Sequence, residues 1–302
     1  MKRRVIDTHI HLASQWHEGG SGGLPNHWLR EEAAGRPKGE GFNNEWEETN
    51  FREAVDASGK LEVTSAIFVE CGNLPAEAEA RWALDMVNDP KSLVAGVVAH
   101  VPVPDGAAAV EAFLAKLRDE AGTLPPGLKG GRVVFLGNPL PPADACLRPA
   151  FLEGLAALGA AGLLWEFCCH PAALPHIAEV CAKFPSIPIV LDHLGHNFGG
   201  EDFDVWAPAL ERVARNPNVT CKLGATEQYE VADPVPYLEH ALKTFGYDRC
   251  LYESNWFVNT ALGDAFVATF CHIEAALQRL GATEEEKEMV FTGNAIRVYS
   301  LG

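Results

Sequence analysis

The sequence predicts an α/β chain folded as a (β/α)8 TIM-like barrel, and three observations lead there. Eight short apolar runs recur along the chain, most of them followed by a stretch of helical periodicity. The runs are rich in Val, Ile and Leu throughout rather than strictly alternating, as expected of parallel strands covered on both faces. Eight such units in 302 residues suit a closed barrel better than an open sheet. A doubly wound open sheet is the structural alternative. No G-x-G-x-x-G follows the first run and no G-x-x-x-x-G-K-[ST] occurs, which weakens its nucleotide-binding form.

The strand candidates in order are RVIDTHIHL (4–12), VTSAIFVEC (63–71), LVAGVVAHVPV (93–103) and GLKGGRVVFL (127–136). GLLWEFCCH (162–170), IPIVLDHLG (187–195), NVTCKLGA (218–225) and RCLYESNWFV (249–258) follow. Between them lie amphipathic stretches such as AEAEARWALDMVND, AAAVEAFLAKLRDE, AALPHIAEVCAKF and PVPYLEHALKTFG. The final GATEEEKEMVFTGNAIRVYSLG reads as one or two short helices completing the outer ring. One domain over residues 1–302 is expected, interrupted by a Gly-, Trp- and charge-rich insertion over 13–50 without periodicity. A connection this long after the first strand would lie over the barrel mouth as a lid. Trp16, His17, His27 and Trp28 would then be candidate walls, and Arg30, Arg36 and Lys38 either added cations or solvated surface.

Composition narrows the function classes. Hydrophobic residues make up 47% and charged residues 22%, an ordinary globular balance. A formal charge of −17 argues against nucleic acid and anionic membranes as partners, but not against a small-molecule substrate. The eight cysteines show no C-x-x-C spacing, so neither a disulfide framework nor a zinc ribbon follows. MKRRVIDTHIHLAS lacks an apolar signal region and no stretch is long enough to span a bilayer; a cytoplasmic protein is expected. A homo-oligomer is compatible with Trp46, Trp82 and Trp206 on or near helices, where each could serve core or interface.

In a barrel, polar residues near the strand C-termini face the site. The first strand places Asp7, His9 and His11 on one face by the two-residue period, and two imidazoles there can converge on one cation. Two surface histidines would also give H-x-H, but the flanks Val5, Ile6, Ile10 and Leu12 argue for burial. His100 interrupts the third strand, and Arg132 in the fourth is a permanent cation suited to a carboxylate or oxyanion. The fifth carries Glu166, Cys168 and His170 on one face. In the sixth, Asp192 and His193 should face oppositely, one into the barrel and one outward. In the eighth, Glu253 and Asn255 share a face, followed by Trp256. Taken singly, each could serve an ion pair or hydrogen bond between layers.

Together these residues resemble the amidohydrolase superfamily, and within it the lactonase-like branch that includes 2-pyrone-4,6-dicarboxylate lactonase and sugar-lactone hydrolases. VIDTHIHL, VVAHVPV, LKGGRVVF, GLLWEFCCHPAALPHIAEV, VLDHLG and FTGNAIRVYSL carry the resemblance over nearly the whole chain. It implies a hydrolase opening a lactone or related cyclic ester of a small carboxylate or sugar acid. His9, His11, His170 and His193 would be ligands for one divalent metal, zinc by preference; in a metal-independent mechanism, imidazoles would hold the carbonyl instead. Arg132 would contact a substrate carboxylate, with His170, Glu166, His100 and Trp256 as further substrate contacts. A metal-dependent non-oxidative decarboxylase and a non-catalytic binder on the same barrel are the alternatives.

The last strand departs from the family pattern, because Asn255 stands where relatives carry an aspartate. An amide cannot take a proton at neutral pH. Glu253 could supply the base, although it lies roughly 6.5 Å deeper along a strand; His193 or His170 could do so instead; or hydrolysis could be lost.

Overall fold

The computed structural model describes residues 2–13, 26–136, 139–196, 202–226, 231, 233–263 and 265–302. Eight parallel strands form one sheet in sequence order: β1 (Arg3–Ile10), β2 (Leu61–Val69), β3 (Val94–His100), β4 (Leu128–Phe135), β5 (Leu164–Cys169), β6 (Ile189–Leu191), β7 (Val219–Leu223) and β8 (Cys250–Tyr252). The sheet curls until its ends meet. Thr8 Oγ1 donates to the Tyr252 carbonyl at 2.7 Å, and Ile10 bridges Trp256, so a nearly closed (β/α)8 barrel results.

Outside it pack α1 (His27–Ala33), α2 (Glu48–Ser58), α3 (Ala76–Val87), α4 (Ala107–Leu117), α5 (Pro149–Ala160) and α6 (Leu174–Lys183), with later helices at Phe203–Ala214, Val235–Phe245 and Ala268–Arg279. Their apolar residues recur at helical spacing. In α6, Leu174, Ile177, Ala178 and Cys181 are buried, which gives one stripe facing the barrel. Each fully buried Leu or Ile of this kind contributes about 1.5–3 kcal/mol. Gly59 ends α2 at φ 64°, a left-handed cap that a side chain would strain.

The barrel interior is layered. Ile6, Ile67, Val98, Leu164, Val190 and Leu251 form a separate apolar cluster, and Tyr299 packs into it. The C-terminal segment therefore does more than complete the outer ring: the turn after helix Asn294–Val298 puts the Tyr299 ring beneath the barrel, where its hydroxyl donates to Glu166 Oε1 at 2.6 Å. Above that layer the interior turns polar.

Of the 13–50 connection, residues 14–25 lie outside the described residues, and with them Trp16 and His17; the His27 side chain does too. The rest is tied to the ends of β2 and β8. Asn26 Nδ2 donates to the Cys71 carbonyl at 2.9 Å and to Asn73 Oδ1 at 3.0 Å. Trp28 and Trp46 both stack on Phe257, with centroids 6.1 and 5.0 Å away. Arg30, Arg36 and Lys38 point to solvent. The eight cysteines are free thiols, and among the described residues no helix is long and apolar enough to cross a membrane.

Candidate active site

The strand C-termini open on a cavity of about 480 Å³, within the size range of small-molecule sites. His11, Glu70, His100, Arg132, His193 and Asn255 form its polar lining, and Trp28, Cys71, Val133, Val134, Leu136 and Val258 much of its wall. His9 and Glu253 sit just beneath it, fully buried.

The backbone explains how these side chains converge. Regular extension stops at Leu191, and His193, Leu194 and Gly195 take φ values of 50°, 55° and 75°. The expected opposition of Asp192 and His193 is thereby corrected. Alternation holds only along extended chain, and the left-handed turn brings His193 round to the cavity while Asp192 stays buried below it. Asn255 likewise has φ 52°, a conformation that Asn tolerates better than most residues. Its Nδ2 donates to Asn259 Oδ1 at 3.1 Å. Gly224 leaves the room that Glu253 occupies, since a Cβ there would overlap the Glu253 side chain.

Glu253 joins the histidines. Its Oε1 accepts from the His193 backbone N–H at 3.1 Å and lies 2.6 Å from His193 Nδ1, while Oε2 lies 3.0 Å from His9 Nδ1. Burial alone would raise this carboxyl; the His193 charge and the hydrogen bonds from His193 and His9 outweigh it and pull the pKa down to about 2. Glu253 is thus an anion at neutral pH, and its Oε1 fixes the ring proton of His193 on Nδ1. His11 Nδ1 lies 2.9 Å from the Val69 carbonyl and must donate to it, which leaves the lone pair on Nε2. That atom is 3.1 Å from His9 Nε2. Burial and the Lys222 ammonium lower the His9 pKa to about 4, and burial, then the neighbouring His9 and Arg132, hold that of His11 well below the usual imidazole range.

Beneath the histidines lies an ion network that the sequence reading only partly foresaw. Lys222, on β7 and fully buried, donates to Glu166 Oε2 at 2.6 Å and reaches Asp192 Oδ1 at 3.0 Å and His9 Nδ1 at 3.2 Å. Burial opposes its charge, but Asp192 and Glu166 more than restore it, so its pKa is raised. Burial would raise Asp192 as well; Lys222, His9 and Arg132 hold it well below the usual carboxylate range. Arg132 donates through Nε to Glu70 Oε1 at 3.0 Å, through Nη2 to the Glu70 carbonyl at 2.8 Å and through Nη1 to Asp192 Oδ2 at 3.3 Å. Its Nη1 also lies 3.1 Å from His9 Nε2. The signal for Lys222 and Glu70 was available as a charge inside VTCKL and at the end of IFVEC.

Of the expected site residues, His9, His11, His193, Glu253, Asn255, Arg132 and His100 come together at the cavity. His100 Nδ1 lies 3.7 Å from Glu70 Oε2, and the interaction with that carboxylate raises its pKa despite burial. Three others do not join them. His170 Nδ1 accepts from the Ala172 N–H at 3.2 Å, capping a short turn, and lines a separate apolar cavity with Phe135 and Phe167; it is not placed with the other proposed ligands. Trp256 packs against Trp46, Phe51 and Phe266 as part of the core. Glu166 lies below the cavity between Lys222 and Tyr299, supporting the floor rather than lining it. Arg132 lines the cavity, and its guanidinium is paired with Glu70 and Asp192.

Imidazoles and carboxylates gathered at the C-terminal mouth of a (β/α)8 barrel are the arrangement of an enzyme active site. The chain belongs to the amidohydrolase family, whose model matches residues 6–301. It is 26% identical over 238 residues to an L-fucono-1,5-lactonase from Burkholderia ambifaria, a match covering 76% of this chain and 78% of that one. The chain spans little more than half the length of two further curated relatives, 57% and 56%. Its fold is shared with an amidohydrolase from Burkholderia multivorans solved with bound zinc, at TM-score 0.76 and 20% identity over 99% of this chain and 100% of that one. A probable 2-pyrone-4,6-dicarboxylic acid hydrolase from Acinetobacter baumannii superposes at TM-score 0.68 and 15% identity, over 98% and 99% of the two chains.

The donor set fits a divalent cation. His9, His193 and Glu253 each offer a ligand atom, all within 4.8 Å of one another.

Proposed function

We propose that this chain opens a lactone or related cyclic ester by attack of water at the barrel mouth. The carrying observation is the Glu253 carboxylate 2.6 Å from His193 Nδ1 at the floor of the cavity. With Nδ1 donating to Glu253, the His193 lone pair lies on Nε2, the atom that would take a proton from the attacking water. The water oxygen bonds to the carbonyl carbon, the ring C–O bond breaks, and His193 returns the proton to the departing alkoxide. Arg132, which lines the cavity, donates a hydrogen bond to the carbonyl oxygen as charge develops on it. Glu253 keeps the His193 ring oriented and balances its charge while it holds the proton. If a metal takes part, His9, His193 and Glu253 would hold it, zinc suiting these donors, and it would polarise the carbonyl as a Lewis acid in place of the base role of His193.

This answers the question that Asn255 raises. The basicity relatives place on an aspartate is supplied by the pair Glu253–His193, and Asn255 shapes the turn that presents it. His170, the remaining ligand candidate, faces another cavity, which does not favour the decarboxylase alternative. The test is a panel of γ- and δ-lactones monitored for proton release, with and without added zinc, alongside metal analysis of the purified protein. Turnover of at least one lactone supports the proposal; absence of turnover across the panel in both conditions overturns it.

A further inference from the structure

The walls and floor of the cavity carry a more specific message about the ligand. Trp28, Cys71, Val133, Val134, Leu136 and Val258 present apolar surface, and Val134 is 44% exposed although no fold requirement calls for an apolar residue there. A sugar hydroxyl seated against these groups would leave water without gaining a partner, weakening binding at least about fivefold for each one. Among the described residues, conversely, the floor carries no positive charge that is not already paired. Arg132 is the one permanent cation among the described lining residues, and Glu70 and Asp192 already engage it. Counting inward, the two cations Arg132 and Lys222 face the carboxyl groups of Glu70, Asp192, Glu166 and Glu253. A carboxylate on the substrate would meet net negative charge here.

We infer that the cavity takes a neutral lactone with an apolar body, an alkyl or aryl substituent against the Val133–Leu136 and Trp28 wall and the ester carbonyl against Arg132 and the histidines. This rests on the hydrolase reading for its chemistry and departs from both the sugar lactone and the dicarboxylate pyrone of the relatives' names. Selectivity then comes from the wall, so affinity should rise about fourfold per methylene until the cavity is filled.

The experiment measures binding and turnover separately. Binding uses δ-lactams, which resist hydrolysis, in three forms: a series 6-alkylated with one to five carbons, a polyhydroxylated ring, and a ring bearing two carboxylates. Turnover uses the matching lactones. A rise of about fourfold per methylene, with the polyhydroxylated and dicarboxylate rings bound at least tenfold more weakly than the five-carbon member, supports the inference. Val134→Ser should flatten that rise by about threefold to tenfold at the longest chain. A flat series, or equal or tighter binding of either polar ring, overturns it. If the series rises but no lactone turns over, the ligand class stands and the hydrolase reading fails. If lactones turn over on a flat series, hydrolysis stands and the ligand class fails.

Discussion

Lys222→Met removes the ammonium at the centre of the barrel while keeping most of the side-chain volume. Nζ has three partners, Glu166 at 2.6 Å, Asp192 at 3.0 Å and His9 at 3.2 Å, all fully buried. In the variant Asp192 keeps the contacts to Arg132 at 3.3 Å and to His9 at 3.7 Å. Glu166 retains the Tyr299 hydroxyl, and burial, which already raises its pKa to about 8, favours the protonated form that needs no ammonium. Asp192 has no such easy route, because the remaining guanidinium holds it ionised. Breaking a buried ion pair by deleting one partner typically costs about 3–5 kcal/mol. For a domain of this size that corresponds to a fall of roughly 6–15 °C in Tm. Urea unfolding followed by tryptophan fluorescence, with thermal scans at pH 7, measures both. A Tm within 2 °C of wild type would refute the reasoning and make the network a spectator of stability.

Three further outcomes follow from single residues. Glu79 accepts from the N–H groups of Cys71 and Asn73, and burial, then the charge of Glu70, raises its pKa from 4.5 to about 8. The folded state therefore holds a proton that the unfolded state releases. This contribution is fully present below pH 4.5 and is lost as pH rises toward 8, by at most about 1.4 kcal/mol per pH unit. Glu79→Gln should consequently gain stability over wild type as pH increases from 5 to 8 in urea titrations; a constant difference contradicts the assignment. Asn255→Asp should not raise kcat on any lactone and should cost about 1–2 kcal/mol, because the amide donation to Asn259 is lost; a tenfold gain in kcat would restore the aspartate position as the base. Gly224→Ala should lower kcat by at least about tenfold by displacing Glu253, and an unchanged kcat would show that Glu253 need not stay where it is.

All eight strands were legible because a parallel interior strand is apolar on both faces and its runs stand out between amphipathic helices. The site was legible where the backbone stays extended: His9 and His11 lie where the period of two puts them. It was not legible where the strands stop. Extension ends at Leu191 and Tyr252, and the turns beyond decide where His193, Glu253 and Asn255 point; no alternation rule reaches them. His170 and Trp256 were misjudged for the same reason, both lying past a strand end, one absorbed as a turn cap and the other into an aromatic cluster. Lys222 was missed differently. Its position inside an apolar run is the signal, but a buried lysine reads as tolerable only once Glu166, Asp192 and His9 are seen around it, and these come from β5, β6 and β1.

The central claim is that Glu253 acts through His193 to supply the base. Glu253→Gln tests it by steady-state kinetics on the best lactone of the panel, with binding of the matching lactam measured in parallel. The account predicts a fall in kcat of about 10²–10⁴ with lactam affinity unchanged within threefold, since Glu253 lies beneath the cavity lining. A kcat within threefold of wild type would contradict it.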